Sequence, residues 1–170
     1  MNKIIENIYQ RRSIRKFKNV EVSKKLIDEL LKCAMAAPSA CNKKPWFFYA
    51  VLNQEKMKDV RKISRYSNYN AAAAIVVCGD TEKSLSKKDN DFWIQDCSAA
   101  IENILLAATS LGLGTVWCGL YPMESAVKRS REVLKIKESL IPLGLILIGY
   151  PDEEKESRTQ YGKNNIEWIE

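Results

Sequence analysis

Two short stretches of the sequence hold side chains whose types and spacing could do chemistry. The first is Arg11-Arg12-Ser13-Ile14-Arg15. In an extended backbone, residues two apart share a face, so Arg11, Ser13 and Arg15 would project one way and Arg12 and Ile14 the other. Two guanidinium forks and a hydroxyl on one face suit a phosphate, because arginine offers bidentate, charge-assisted hydrogen bonds that lysine does not. A solvated basic turn at the end of a helix has the same composition, so the block alone leaves both readings open. The second stretch is Pro38-Ser39-Ala40-Cys41-Asn42-Lys43-Lys44-Pro45-Trp46, which sets small residues, a hydroxyl and an amide between two prolines, with an aromatic following. Loops of this composition turn or bind. Asn42 carries both a donor and an acceptor, which would match the alternating N–H and C=O edge of a heterocycle.

Composition removes much other chemistry. The 170 residues include no histidine, so the usual zinc site, the Ser-His-Asp triad and the Cys-His pair cannot be assembled. The five cysteines, Cys33, Cys41, Cys78, Cys97 and Cys118, show no C-x-x-C spacing, and most lie in apolar runs, which reads as reduced core thiols without a metal or redox role. No strand is followed by a G-x-G-x-x-G or Walker-type loop. The net charge of +6 conceals an asymmetry: the first 65 residues carry 16 Lys and Arg against 6 Asp and Glu, and the remainder 11 against 15. Such a split fits nucleic acid, one phosphorylated small molecule or solvated lysines. The lysines are scattered and no helix-turn-helix, zinc-finger or RNP-like motif is present, so nucleic acid is not the expected partner. The apolar runs 71–78 and 143–148 are too short to cross a bilayer, and the N-terminus lacks the pattern of an export signal, so a cytoplasmic protein with no membrane partner is expected.

The elements that must position these residues follow from hydrophobic period and caps. Residues 2–10 have helical spacing and stop at the arginine block; a second helix begins at Ser23, carries Leu26, Ile27, Leu30, Leu31 and Ala34 on one side, and is closed by Pro38. Residues 46–52 and 73–78 read as strands with a short helix through Met57, Val60 and Ile63 between them. The longest helix is expected from about Trp93 to Leu111, followed by a strand over 115–118, a helix opened by Pro122 and reaching Leu134, and a last strand over 143–148. With 46% hydrophobic residues the chain can form one core, so residues 1–170 are expected to make one domain. The polar tail 151–170 ends in Ile166, Trp168 and Ile169, anchors that should dock somewhere.

Arg11-Arg12-Ser13-Ile14-Arg15-Lys16-Phe17 resembles the N-terminal signature of the nitroreductase family of FMN-dependent oxidoreductases, and Ala37 through Trp46 resembles its second signature at the right separation. Three further segments agree in order: residues 93–108 are similar to the family's central helix, 112–119 to the loop and strand that follow it, and Ile148-Gly149-Tyr150-Pro151 to its last strand. The resemblance implies an α+β, nitroreductase-like fold, a mixed but mainly antiparallel sheet flanked by helices, in an intertwined homodimer with FMN at the interface. It matches Arg11, Arg12, Ser13 and Arg15 to the residues on the ribityl phosphate and adjoining flavin edge, and Pro38, Ser39, Ala40 and Asn42 to the loop of the partner subunit that lines the ring. Cys118 and Gly119 fall in a loop whose backbone faces the flavin from the other side, and Arg158, or in its place Lys163, would be a second phosphate ligand.

The tail is expected to wrap the partner subunit, the other reading being a tail packed on its own. No side chain is needed as catalyst: the implied reaction takes hydride from NADH or NADPH onto FMN N5 and passes it to a small electron-poor acceptor, a nitroaromatic or quinone, in ping-pong order. A same-fold flavoprotein with another reaction (dehydrogenation, reductive dehalogenation, flavin breakdown) and a non-catalytic FMN-binding protein are the alternatives. The chain departs from the family pattern at Lys44, where glutamine is common, and is short between Arg65 and Trp93; Asn68 and Asn70 are candidates for contacts to the flavin pyrimidine.

Overall fold

The computed structural model describes residues 2–85 and 91–170. Helix α1 (Lys3–Gln10) leads to the arginine block, and α2 (Lys24–Met35) follows. A 3-10 turn at Ala40–Asn42 precedes β1 (Trp46–Val51), α3 (Gln54–Val60), β2 (Ala73–Asp80), the 19-residue α4 (Phe92–Ser110), β3 (Gly114–Gly119), α5 (Glu124–Leu134) and β4 (Leu140–Gly149). The polar residues before the first three helices are their caps: the Asn2, Ser23 and Asn53 side chains accept from the amides of Ile4, Leu26 and Lys56. Contrary to expectation, Pro122 does not open α5; the helix starts at Glu124, with Met123 as its cap residue.

The strands form one sheet in the order β1-β2-β4-β3, antiparallel at every ladder. The expected mixture reduces to one parallel bridge between Ser13 and Thr115. β2 and β4 are the inner strands and are buried on both faces, which is why they read as unbroken apolar runs. Alternation along them splits the core. Ile75, Val77, Ile146 and Ile148 face a layer made by α2 and α4, while Ala74, Val76, Leu145 and Leu147 face α3, α5 and residues 14–17.

That second layer explains how the arginine block is seated. Gly114 and Gly149 are cross-strand partners on β3 and β4. A Cβ on Gly114 would lie 2.9 Å from Ile14 Cβ, and one on Gly149 2.9 Å from Phe17 Cδ1. The two glycines thus make a floor on which Ile14 and Phe17 lie against the sheet. Because the atom met at Gly114 is a Cβ fixed to the backbone, Gly114→Ala should cost about 1–3 kcal/mol. A lower urea midpoint at unchanged m-value checks this.

The tail returns along the same segment. Pro151 bridges to Phe17, the Asp152 amide donates to the Lys16 carbonyl (2.9 Å), and the Arg158 amide donates to the Tyr9 carbonyl (3.1 Å). Beyond it, Trp168 and Ile169 are 77% and 95% exposed, so the anchors do not dock on their own protomer. α1 buries none of its residues and leaves Ile4, Ile5 and Ile8 exposed.

Candidate functional site

The block at 11–15 is held largely through its backbone, and of its three arginines Arg15 is left exposed. The Ile14 amide donates to the Thr115 carbonyl at 2.8 Å, continuing β3 outward. Glu153 accepts from the amides of Arg15 (2.5 Å) and Lys16 (3.2 Å), and Lys155 Nζ donates to the Ser13 carbonyl at 2.6 Å while pairing with Glu153 at 3.2 Å. Asn70 closes the far end: its Oδ1 accepts from the Phe17 amide and its Nδ2 donates to the Phe17 carbonyl. Asn70 is therefore a clamp on the basic segment, which its side chain satisfies at both atoms.

Of the expected alternation, Arg12 and Ile14 share one side and line the same cleft, whereas Arg11 and Arg15 meet different surroundings. Ile14 is buried beneath the segment, and Arg12 lies beside it on the rim of one cleft, its guanidinium donating to the Glu156 carbonyl. Arg11 points to α4, with Nε 3.6 Å from Glu102 Oε1, and Arg15 is exposed near Cys118. The tail returns Arg158 to the end of α1, its amide bonded to the carbonyl of Tyr9, two residues before Arg11 in sequence. Among the described residues no contact brings Lys163 to this cluster.

The Arg15 amide, with Lys155 and the Lys16 amide, holds the Glu153 carboxyl below the usual carboxylate range. A depressed acid contributes stability that is present above its unfolded value and lost as pH falls through the folded one. Glu153→Gln should therefore melt a few degrees below the wild type at neutral pH, by roughly 2–4 °C, with the two curves converging below about pH 4. Melting temperatures between pH 3 and 7 provide the check.

The loop at 38–44 is built differently. Cys41, Asn42 and Lys44 have φ of 46°, 56° and 51°, three left-handed residues without glycine, interrupted by the right-handed Lys43. Ser39 ties it together, its carbonyl accepting from Asn42 and its Oγ from the Lys44 amide. Pro38 and Asn42 are exposed and Ser39 and Ala40 half-buried. The loop is fastened to α4 through the Ala40 amide, 2.8 Å from Asp96 Oδ1.

Cys118, expected in the strand 115–118 from its apolar pattern and in a flavin-facing loop from the resemblance, and Gly119, expected in that loop, are the last two residues of β3, because the ladder to Leu145 and Gly144 runs through both. The Cys118 side chain is buried and its thiol donates to the Tyr66 carbonyl at 3.1 Å; burial pushes it up to about 11, against the opposing pull of Arg15. Cys118 can offer a ligand only its backbone. Gly119 is exposed, and a Cβ there would meet nothing within 4 Å. Burial likewise raises Cys78, to about 12, and Cys97. A thiol reagent at pH 8 should thus label exposed Cys41 first and Cys33 more slowly, while Cys78, Cys97 and Cys118 stay protected until the chain is denatured; mass mapping of labelled peptides tests this.

One protomer seats the segment carrying Arg11, Arg12, Ser13 and Arg15 beside β3, places Arg15 near Cys118, and returns the backbone of Arg158 to Tyr9. It does not bring Pro38, Ser39, Ala40 and Asn42 to them: the loop is tied to Asp96 on α4, the arginine block to Glu102 on a different face of that helix. The residues that hold the two groups, Glu153, Lys155 and Asp96, carry no motif. Asp96 alone left a signal, as a lone acid in the apolar stretch 93–101.

Among the described residues no group of His, Cys, Asp and Glu could hold a metal, and no helix is long and apolar enough to cross a membrane. What the fold and the cluster define is an α+β protein that lays a strip of arginines over the edge of an antiparallel sheet, suited to a phosphorylated small molecule. The profile of the Nitroreductase family matches residues 8–68 and 60–150, and the chain belongs to that family. It is 46% identical, over 158 residues, to a protein of Archaeoglobus fulgidus provisionally named NADH dehydrogenase/NAD(P)H nitroreductase, with 92% of this chain and 90% of the relative aligned. The crystal structure of a protein from Parabacteroides distasonis with the same provisional name superposes with a TM-score of 0.91 at 36% identity, covering 99% of this chain and 98% of the other. A provisionally named nitroreductase from Desulfovibrio desulfuricans, solved in complex with FMN, gives 0.81 at 26% identity over 100% and 98%.

Proposed function

We propose that this oxidoreductase binds FMN, takes hydride from NADH or NADPH, and reduces a small electron-poor acceptor of nitroaromatic or quinone type in ping-pong order. The observation that carries the reading is the seating of the arginine block 11–15 beside β3 by backbone contacts, which leave the guanidinium of Arg15 exposed and that of Arg11 only loosely paired, with the backbone of Arg158 returned beside Tyr9. A phosphate is the ligand such forks recognise, and the nicotinamide donor and FMN are those named in the relatives.

When bound, FMN supplies the two-electron carrier chemistry, and the chain supplies binding and electrostatics. Arg11, Arg12, Ser13 and Arg158 would hold the phosphate and ribityl chain, with Arg11 exchanging Glu102 for the ligand. Arg15 brings positive charge to the end of β3, where Gly119 is exposed beside the buried Cys118, and favours electron-rich groups there. Pro38, Ser39, Ala40 and Asn42 would close the site from a second copy, since within one protomer they stand apart from the arginines. In that homodimer the single domain 1–170 would extend its tail over the partner, covering Trp168 and Ile169.

The test is the visible spectrum of the purified protein before and after anaerobic NADH and then NADPH. A flavin spectrum that bleaches with either donor and returns with an acceptor is expected. A protein that is colourless after incubation with FMN and removal of the unbound cofactor would overturn the proposal.

A further inference from the structure

Asp96 is 5% exposed, on the side of α4 that faces the 38–44 loop. Its Oδ1 accepts from the Ala40 amide at 2.8 Å, and its Oδ2 is buried with no hydrogen-bond partner among the described residues. A carboxylate taken out of water and left half-satisfied is a poor stability device, since an apolar side chain of similar volume in the same place is often as stable or more so. Such a group needs another account.

The loop supplies one. Three of its residues sit in the left-handed region without being glycine, a conformation that persists only when its surroundings determine it. The bonds within the loop, from the Asn42, Lys43 and Lys44 amides to Ser39 and Ala40, shape the turn but do not say where it points. A cleft of about 330 Å³, not packed side chains, lies between Pro38–Ala40 and the first turns of α4. The aim of the loop therefore depends on its two ends. One is the strand-like bond from the Asp80 amide to the Pro45 carbonyl, and the other is the bond from Ala40 to Asp96.

We propose that Asp96 is a positioning residue that sets the 38–44 loop in its flavin-facing conformation by holding the Ala40 amide. The inference rests on the reading of this loop as a wall of the flavin site, and its test separates the two. In cofactor-free full-length protein, Asp96→Val should speed hydrogen exchange of the loop amides 40–44 by about tenfold or more, with no loss of melting temperature. FMN affinity should fall by about tenfold. Asp96→Asn keeps an acceptor facing Ala40 and should stay within about twofold of wild type in both readouts.

Ala40→Pro removes the donor without touching α4. Ser39, at φ −143° and ψ 153°, already has the backbone a residue before proline adopts. This variant should loosen Asn42, Lys43 and Lys44 to the same degree, and the double variant Asp96→Val/Ala40→Pro should add nothing further. If Asp96→Val does not fold, Ala40→Pro carries the test alone. Wild-type exchange in Asp96→Val, or in Ala40→Pro, overturns the inference, as do fully additive effects. Faster exchange with unchanged FMN affinity leaves the positioning role standing and overturns the flavin reading of the loop.

Discussion

Arg11→Ala should raise the dissociation constant for FMN by about 10- to 150-fold, the loss of one charge-assisted contact of roughly 1.5–3 kcal/mol, with the melting temperature almost unchanged. The separation of the two effects comes from what Arg11 does in the free protein. Its one ion pair, with Glu102 at 3.6 Å, joins side chains that are 28% and 47% exposed, and such pairs contribute about 0–1 kcal/mol. Glu102→Gln supplies the opposing control. It removes a negative charge from beside the phosphate position and should bind FMN as tightly as wild type or more so, by up to about fivefold. Fluorescence titration of cofactor-free protein measures both. Full FMN affinity in Arg11→Ala would remove Arg11 from the site.

Phe17→Ala should have the largest effect on stability, and it reaches the same site by another route. The ring is 2% exposed, lies over Gly149 and is bracketed on its backbone by Asn70, so its removal opens a cavity where the basic segment meets the sheet. Loss of a buried phenylalanine typically costs about 3–5 kcal/mol. In a two-state domain this appears as a shift of the urea midpoint. Because the segment's Ile14 and Phe17 are its two contacts with the glycine floor, FMN affinity should also fall, unlike in a core variant on the far face such as Ile104→Ala, whose cost of about 2–5 kcal/mol is comparable. Equal FMN affinity in the two variants, at matched loss of stability, would show that the seating of the segment does not matter to the ligand.

Much of the fold was legible in the residues themselves. Caps at Asn2, Ser23 and Asn53, the left-handed Gly112 after α4 and the continuous apolar runs of β2 and β4 are local signals, and local signals act in the chain wherever it folds. The start of α5 was misplaced by reading Pro122 as its first residue. Proline is compatible with the first turn of a helix without requiring one, so that signal was permissive. The strand expected over 115–118 runs one residue further at each end, to Gly114 and Gly119, because a strand end is set by its partner, here Gly149 and Gly144 of β4, and the sequence of one strand does not contain it.

The site divides in the same way. The sequence by itself determined the chemistry on offer: a histidine-free chain whose reactive inventory is an arginine block, a hydroxyl- and amide-bearing loop, and thiols in apolar runs. Side-chain type decides what can be hydrogen-bonded or ionised, and that is readable without a fold. Only the tertiary structure decided the placement, because it depends on contacts between residues far apart in the chain. Glu153 and Lys155 reach back across more than a hundred residues to the block, Gly114 and Gly149 meet across two strands to floor it, and Asp96 takes the Ala40 amide from a loop 56 positions away. None of these residues forms a motif with its neighbours, since what selects each is the geometry of a distant backbone group.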